Sequence, residues 1–387
     1  VRELEDSLFI YSDEELGYRF NSDHPFSPTR YEMTVELLKQ LNLLTDEQIV
    51  PSRQATDEEI MEVHDPEFVA MVKRANDPEV SQEELLRFGL NTEDTPVFPN
   101  MHRHAAWLVG GTVKAADLVM SGKTRHAVHL AGGLHHAFYG KAAGFCIYND
   151  AAVAIALLRK KYQARVMYID TDAHHGDGVQ SIFYNDPNVL TVSFHESGET
   201  LFPWTTGFAH ETGRGAGEGF NINVPFAAGT QDDSFLKALH QVLPTIARNF
   251  EPDIIISQNG CDSHHLDPCA NMSLTMRVYK EIPKLVHQLA HDLCDGRWVA
   301  IGGGGYNFHT VPRAWSYLWA EIVGQEIDQL PLEWIEKWTG SKDSPYPKTF
   351  YDPEGIIPNN PHIESINEKN KRTVNQILSY IYKRHYF

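Results

Sequence analysis

The sequence predicts a single α/β domain built on a mainly parallel sheet with helices on both faces. Short β-branched or apolar runs recur along the chain with helical periodicity between them. No compositional break or internal repeat divides the 387 residues, and at 42% apolar content the chain can bury a sizeable core. The most reactive residues come immediately after the apolar runs, as expected where parallel strands deliver side chains to one edge of a sheet.

Strands are expected at 8–12 (LFIYS), 126–130 (HAVHL), 166–170 (VMYID), 189–194 (VLTVSF), 253–257 (DIIIS) and 298–302 (WVAIG). Helices are expected at 150–162, capped by Asn149 or Asp150, at 232–250, and over the closing stretch 366–387, whose apolar positions fall at helical intervals. The segments 195–220 and 339–362 are rich in Gly, Pro and polar residues and are expected to be long loops.

Lys and Arg number 33 against 52 Asp and Glu, a net charge of -19. That balance argues against nucleic-acid binding, which needs clustered cations against phosphate. No apolar run is long enough to span a bilayer, and residues 1–20 lack the basic and apolar regions of a signal peptide, so a soluble, cytoplasmic protein with no membrane partner is expected. Cys146, Cys261, Cys269 and Cys294 show no CxxC spacing and are expected to be reduced.

Four runs end in chemistry. HAVHL is followed by AGGLHH with His135 and His136, VMYI by Asp170, Asp172, His174, His175 and Asp177, DIIIS by QNGCDSHHLDP, and WVAI by GGGGYN. Burying such groups without partners costs several kcal/mol each. Asp172 and His174 are one residue apart, so a strand end can aim both the same way, and Asp262 can join from a neighbouring strand. Two carboxylates and one imidazole suit a three-ligand catalytic zinc site with an open position; the alternative is an ion-pair network without metal. Asp170 and Asp177 can hydrogen-bond the two imidazoles and fix their tautomers. The run IGGGGYN lacks the spacing of a phosphate-cradling loop. Its glycines instead allow a tight turn presenting Tyr306, either as a hydrogen-bond donor to a developing oxyanion or as a packed aromatic.

With these residues assembled, the sequence resembles the zinc-dependent histone deacetylase family, class I-like, over roughly residues 8–320. The resemblance is carried by HPFSPTRYEMT, EDTPVF, AGGLHHAFYGKAAGFCIYNDAAVAI, YIDTDAHHGDGVQSIFY, TVSFHE, NINVPF, NGCDSHHLDP and IGGGGYN. Within the family it is most similar to the bacterial branch that acts in acetoin utilisation. The resemblance implies an arginase-like fold with a sheet of about eight strands, forming one catalytic domain over 1–387 with a core at about 8–320 and a C-terminal extension, 321–387, packed on it. It implies Asp172, His174 and Asp262 as zinc ligands, with iron(II) as an alternative metal. His136, paired with Asp177, would be the general base and then acid, and His135, paired with Asp170, an electrostatic partner. Tyr306 would polarise the acetyl carbonyl. Gly144, Phe145 and Phe202 would line an acyl-lysine tunnel, Asp94 would hold the substrate backbone at its rim, and Arg30 would lie behind the metal. Structural potassium ions would sit on backbone carbonyls around Asp170, Asp172, His174, Ser193 and Phe194, with a second site near Phe183 and Val189.

The implied activity is that of an amidohydrolase removing acetyl groups from lysine side chains of proteins. The acetoin branch suggests acetylated acetyl-CoA synthetase as substrate and partner. The alternatives are a deacetylase of acetylpolyamines or other small amides, and a non-catalytic acyl-lysine reader. One departure bears on the metal: after Asp262 comes SHHLDP, and His264 occupies the place of the second aspartate in the DxDxxDP motif of the related binuclear manganese ureohydrolases. His264 is thus expected either to join a second metal or to be a hydrogen-bonded imidazole behind the site, and no role is assigned to His265.

Overall fold

The structure, a computed structural model, describes residues 7–385. Among these, eight strands form one all-parallel sheet: β1 (Ser7–Ile10), β2 (Ile49–Val50), β3 (His126–His129), β4 (Val166–Asp170), β5 (Val189–Glu196), β6 (Asn221–Phe226), β7 (Ile254–Gln258) and β8 (Trp298–Ile301). Their order across the sheet is β2-β1-β3-β8-β7-β4-β5-β6. Every residue of β3, β4, β5, β7 and β8 is buried. Such continuous burial is what helices on both faces impose on a parallel sheet, and it explains why these strands read as unbroken apolar runs rather than alternating ones.

The six expected strands are present, β4 with the expected bounds and the others with ends shifted by at most two residues, and the helices Asp150–Tyr162 and Asp232–Phe250 have the expected bounds. Asn149 is the cap of the first: its side chain accepts from Ala152 N. Two strands, β2 and β6, were not among the expected ones. The segment 197–220 holds only a short 3-10 turn, and 340–362 contains no helix or regular strand. The closing helix runs Ile363–His385, starting three residues before the expected 366. Residues 386–387 of that expectation, and 1–6 of the N-terminal reading, lie outside the described residues. No helix among the described residues is long and apolar enough to cross a membrane, and all four cysteines are free.

The order places β3, β8, β7 and β4 side by side at the centre of the sheet. These are the four strands whose carboxyl ends carry the reactive residues, so one parallel edge gathers segments that are far apart in sequence. The closing helix docks on the helix Asp232–Phe250 and on β6. It buries Val374, Ile377 and Ile381, while Asn370 accepts from Ala227 N (3.0 Å) and donates to Thr230 Oγ1 (2.8 Å). Ile377→Ala is therefore expected to destabilise the protein by about 2–5 kcal/mol, because the site cannot collapse around the lost methylenes. Urea unfolding should show a lower midpoint with an unchanged slope; an unchanged midpoint would contradict this docking.

Candidate active site

The chain turns sharply where β4 ends. Asp170, its last residue, accepts Asp172 N on Oδ1 (3.1 Å), and Asp172 Oδ1 accepts His174 N (3.0 Å). These two turns aim Asp172 and His174 at Asp262, which follows β7. His174 Nδ1 stands 2.9 Å from Asp262 Oδ2 and 3.2 Å from Asp172 Oδ1. One ligand atom from each of the three lies within 4.8 Å of the others. The remaining carboxylate oxygens are already held: Asp172 Oδ2 accepts Gly304 N (2.7 Å) and Gln258 Nε2 (2.7 Å), and Asp262 Oδ1 accepts Ala173 N (2.8 Å).

This donor set fits a divalent cation. Burial and the neighbouring Asp172 push the Asp262 carboxyl up to about 6, whereas Asp172, despite its burial, is held low by His135 and His174. Both carboxylates are charged together only where positive charge sits between them. The glycine loop after β8 has to pass close by: a Cβ on Gly304 would lie 2.2 Å from Asp262 Oδ2 and 2.9 Å from Asp172 Oδ2. Arg30, fully buried, donates from Nη1 to Gly303 O (3.0 Å) and Gly305 O (2.7 Å) and fixes that loop from behind.

The histidine pair is positioned by residues of the following helix. Asp150 accepts the backbone N–H of Gly133 and Leu134 (2.7 Å to the latter), and Asn149 donates to His135 O and Ala137 O. His135 Nδ1 donates to Asp170 Oδ2 (2.7 Å), His136 Nδ1 donates to Asp177 Oδ1 (2.7 Å), and the two Nε2 atoms are 3.1 Å apart. Their protonation is driven apart. Burial opposes charge on His135, but Asp170, Asp172 and Asp177 override it and raise the imidazole to about 9. Burial and the charge on His135 lower His136, which Asp177 only partly offsets. His136 is thus neutral at pH 7, with Nδ1–H on Asp177 and its Nε2 lone pair facing the site.

Aromatic rings flank this cluster. Phe202 lies edge-on to His136, ring centroids 5.0 Å apart, and Phe145 meets Tyr306 at 5.6 Å and 89°. Gly144 adopts φ +48°, and a Cβ there would stand 2.6 Å from His136 Cδ2 and 3.1 Å from Phe202 Cε1. The Tyr18 hydroxyl donates to Phe145 O (2.7 Å) and accepts Ile147 N (3.0 Å), fixing one wall. The Asp267 carboxylate accepts Tyr306 N (2.7 Å) and fixes the other. Asp94 is exposed; its carbonyl accepts from His24 Nε2 (3.3 Å), and the His24 ring packs on Phe145 at 4.5 Å. Asp94 therefore sits one side chain outward from the wall.

All the sequence-predicted ligands, relay residues and wall residues thus meet in one place. Of the residues expected around potassium, Asp170 pairs across the sheet with Ser193, next to Phe194, beside Asp172 and His174, while Phe183 and Val189 flank the turn into β5. His264 does not join the Asp172–His174–Asp262 group. Its Nε2 meets Asp352 Oδ2 (2.9 Å), and Asp352 Oδ1 accepts from Arg313 Nη1 (2.8 Å), a tie between the site loop and the C-terminal segment; His264 groups with His265 and Asp352 instead. Sequence reasoning assigned no site role to Gln258, Asp267, Asp150, Tyr18 or His24. Gln258 and Asp267 lay inside motifs already quoted; Tyr18 carried no local signal.

A histone deacetylase domain profile matches residues 24–322. The acetoin utilization protein AcuC of Bacillus subtilis (strain 168) is 49% identical over 377 residues, 97% of each chain. That of Staphylococcus aureus (strain MRSA252) is 44% identical over 382 residues, again 97% of each. The crystal structure of an HDAC homologue from Aquifex aeolicus superposes with TM-score 0.83 at 30% identity, covering 95% of this chain and 100% of that one; so does an HDAC homologue complexed with SAHA.

Gly304→Ala is expected to force Asp262 out of place and to cost the protein one equivalent of tightly bound divalent metal, with far-UV circular dichroism unchanged. Metal analysis by mass spectrometry checks this; full metal content in the variant would mean that the loop and carboxylate can part without consequence.

Proposed function

The chain belongs to the histone deacetylase family and is a deacetylase, and on that premise we propose that it hydrolyses the acetyl amide of Nε-acetyl-lysine in proteins with zinc as its metal. The observation that carries the proposal is the meeting of two carboxylate–histidine pairs with a two-carboxylate, one-imidazole cluster beside the Phe202 ring. Asp172, His174 and Asp262 would hold the zinc. Bound there, zinc supplies Lewis-acid chemistry, polarising the acyl carbonyl and making water more acidic.

The chain's own residues do the rest. Neutral His136 takes a proton from the attacking water at Nε2, Asp177 stabilises the resulting imidazolium, and His136 then gives a proton to the departing lysine amine. His135, kept charged by Asp170, contributes positive potential without transferring the proton. The Tyr306 hydroxyl donates to the oxygen on which charge develops. Phe145, Phe202 and Gly144 form a slot suited to a lysine stem, and Asp94 would hold the peptide backbone at the rim. Exposed Trp204, Leu266 and Phe308, each within a few residues of these groups in sequence or by contact, favour a macromolecular substrate over a small amide. Acetylated acetyl-CoA synthetase, within cytoplasmic acetoin and acetate metabolism, is the protein substrate proposed. The catalytic domain proposed is the whole chain, with 321–387 packed on a core at about 8–320. Potassium ions on the carbonyls around Asp170, Asp172, His174, Ser193 and Phe194, and near Phe183 and Val189, would be structural.

The decisive experiment compares an acetyl-lysine peptide with an acetylpolyamine for the native enzyme and for Tyr306→Phe. The peptide should be the better substrate, and the variant should lose roughly 100- to 1000-fold in kcat with little change in KM. Near-native turnover by a metal-loaded variant would remove Tyr306 from the mechanism, and a preference for the polyamine would overturn the protein substrate.

The pH profile gives a second test. Because the His136 imidazole lies below its usual 6.5, kcat/KM should fall only as pH drops through a value under 6.5. Asp177 raises that imidazole, so Asp177→Asn should move the acidic limb to still lower pH while reducing the plateau. A limb that stays in place would sever Asp177 from the base.

A further inference from the structure

Three histidines converge at the opposite end of the sheet, where the central strands begin. His126 opens β3, and His287 and His291 lie one turn apart on the helix Met276–Cys294, facing it. His287 Nε2 is 3.3 Å from His126 Nε2 and 3.1 Å from His291 Nε2, and one ring nitrogen from each of the three lies within 4.8 Å of the others. Behind them, Glu321 on the helix Val311–Val323 accepts from His287 Nδ1 (2.8 Å). A four-residue strand separates this cluster from the residues that follow β3, a rise of about 13 Å, so it is no part of the site at the carboxyl ends.

The chemistry of the cluster is specific. With Nδ1–H on Glu321, a neutral His287 presents its single lone pair at Nε2. That lone pair faces two other ring nitrogens and can accept an N–H from only one of them. A cation among the three rings instead takes a lone pair from each. Ring nitrogens on a tetrahedral zinc at 2.0–2.1 Å stand about 3.3 Å apart, close to the two spacings seen. A carboxylate behind a ligating histidine is the arrangement that fixes tautomer and ring orientation and raises ligand basicity. His126 and His287 are only 4% and 7% exposed, whereas His291 is exposed, so one side of the cluster can be reached from solvent.

We propose that His126, His287 and His291, oriented by Glu321, form a second metal site for zinc or a similar imidazole-preferring divalent ion, which staples the helix Met276–Cys294 to the amino-terminal edge of the sheet. The site takes no part in amide hydrolysis, so the proposal stands apart from the deacetylase reading.

The test is calorimetric titration of the chelator-stripped, tag-free full chain with zinc, comparing the native protein with His291→Gln, His287→Gln and, in parallel, Asp262→Asn. His291→Gln and His287→Gln should each bind one zinc fewer than the native chain, or bind that one at least tenfold more weakly. Asp262→Asn should retain the histidine-site zinc. The comparison is of differences, so a failure of the Asp172 centre to take zinc would appear as no change in Asp262→Asn and would not imitate a failure here. His291 is exposed, so its variant decides the matter even if His287→Gln folds poorly. Native stoichiometry and affinity in His291→Gln would overturn the proposal.

Discussion

Two carboxylates, Asp172 and Asp262, are buried against one imidazole at the carboxyl ends of the central strands of a parallel sheet, and the surrounding architecture follows from that placement. Alone, such a pair opposes its own ionisation: burial and Asp172 push Asp262 up to about 6. The fold answers with positive potential and directed N–H groups rather than with distance. Gly304 N and Gln258 Nε2 hold one oxygen of Asp172, Ala173 N holds one of Asp262, and the outward oxygens are left converging with His174 Nδ1. This donor set fits a divalent cation. Within the glycine run after β8, Gly304 passes within a Cβ's width of Asp262 Oδ2 and Asp172 Oδ2, and Arg30 supplies that loop's carbonyls with a donor on the far side.

The same charge balance separates two chemically identical histidines. His135 is tied to Asp170 and lies in the potential of Asp172 and Asp177, so it stays protonated; His136, beside that cation, stays neutral. The placement of both depends on Asp150 and Asn149 at the start of the helix Asp150–Tyr162, which bind the backbone of the turn carrying them. A helix start thereby becomes part of the site's geometry.

Most of this was legible in the sequence because parallel strands buried on both faces read as apolar runs, and because reactive residues cluster at their carboxyl ends. The strand β6 escaped for a physical reason. Asn221 and Asn223 interrupt its apolar pattern although both are buried, satisfied by Gln180 and, for Asn221, by Thr191, and Pro225 is tolerated because β6 is an edge strand. The two residues of β2 are too few to carry a pattern. Within the site, Asp172, His174, Asp262 and the relay residues announced themselves by spacing and by their motifs. Asp267, Asp150 and Gln258 act largely by holding backbone N–H groups or other carboxylates, a role that only the folded chain reveals. His264 could not be decided from sequence, since its partner Asp352 is 88 positions away.

The central claim is that a cation resolves the buried carboxylate pair. Anomalous diffraction from crystals of the zinc-loaded protein, recorded at the zinc edge, tests it most directly. The account predicts a peak about 2.0–2.2 Å from His174 Nδ1, Asp172 Oδ1 and Asp262 Oδ2 together. Absence of a peak there, with the three side chains hydrogen-bonded to one another, would contradict it.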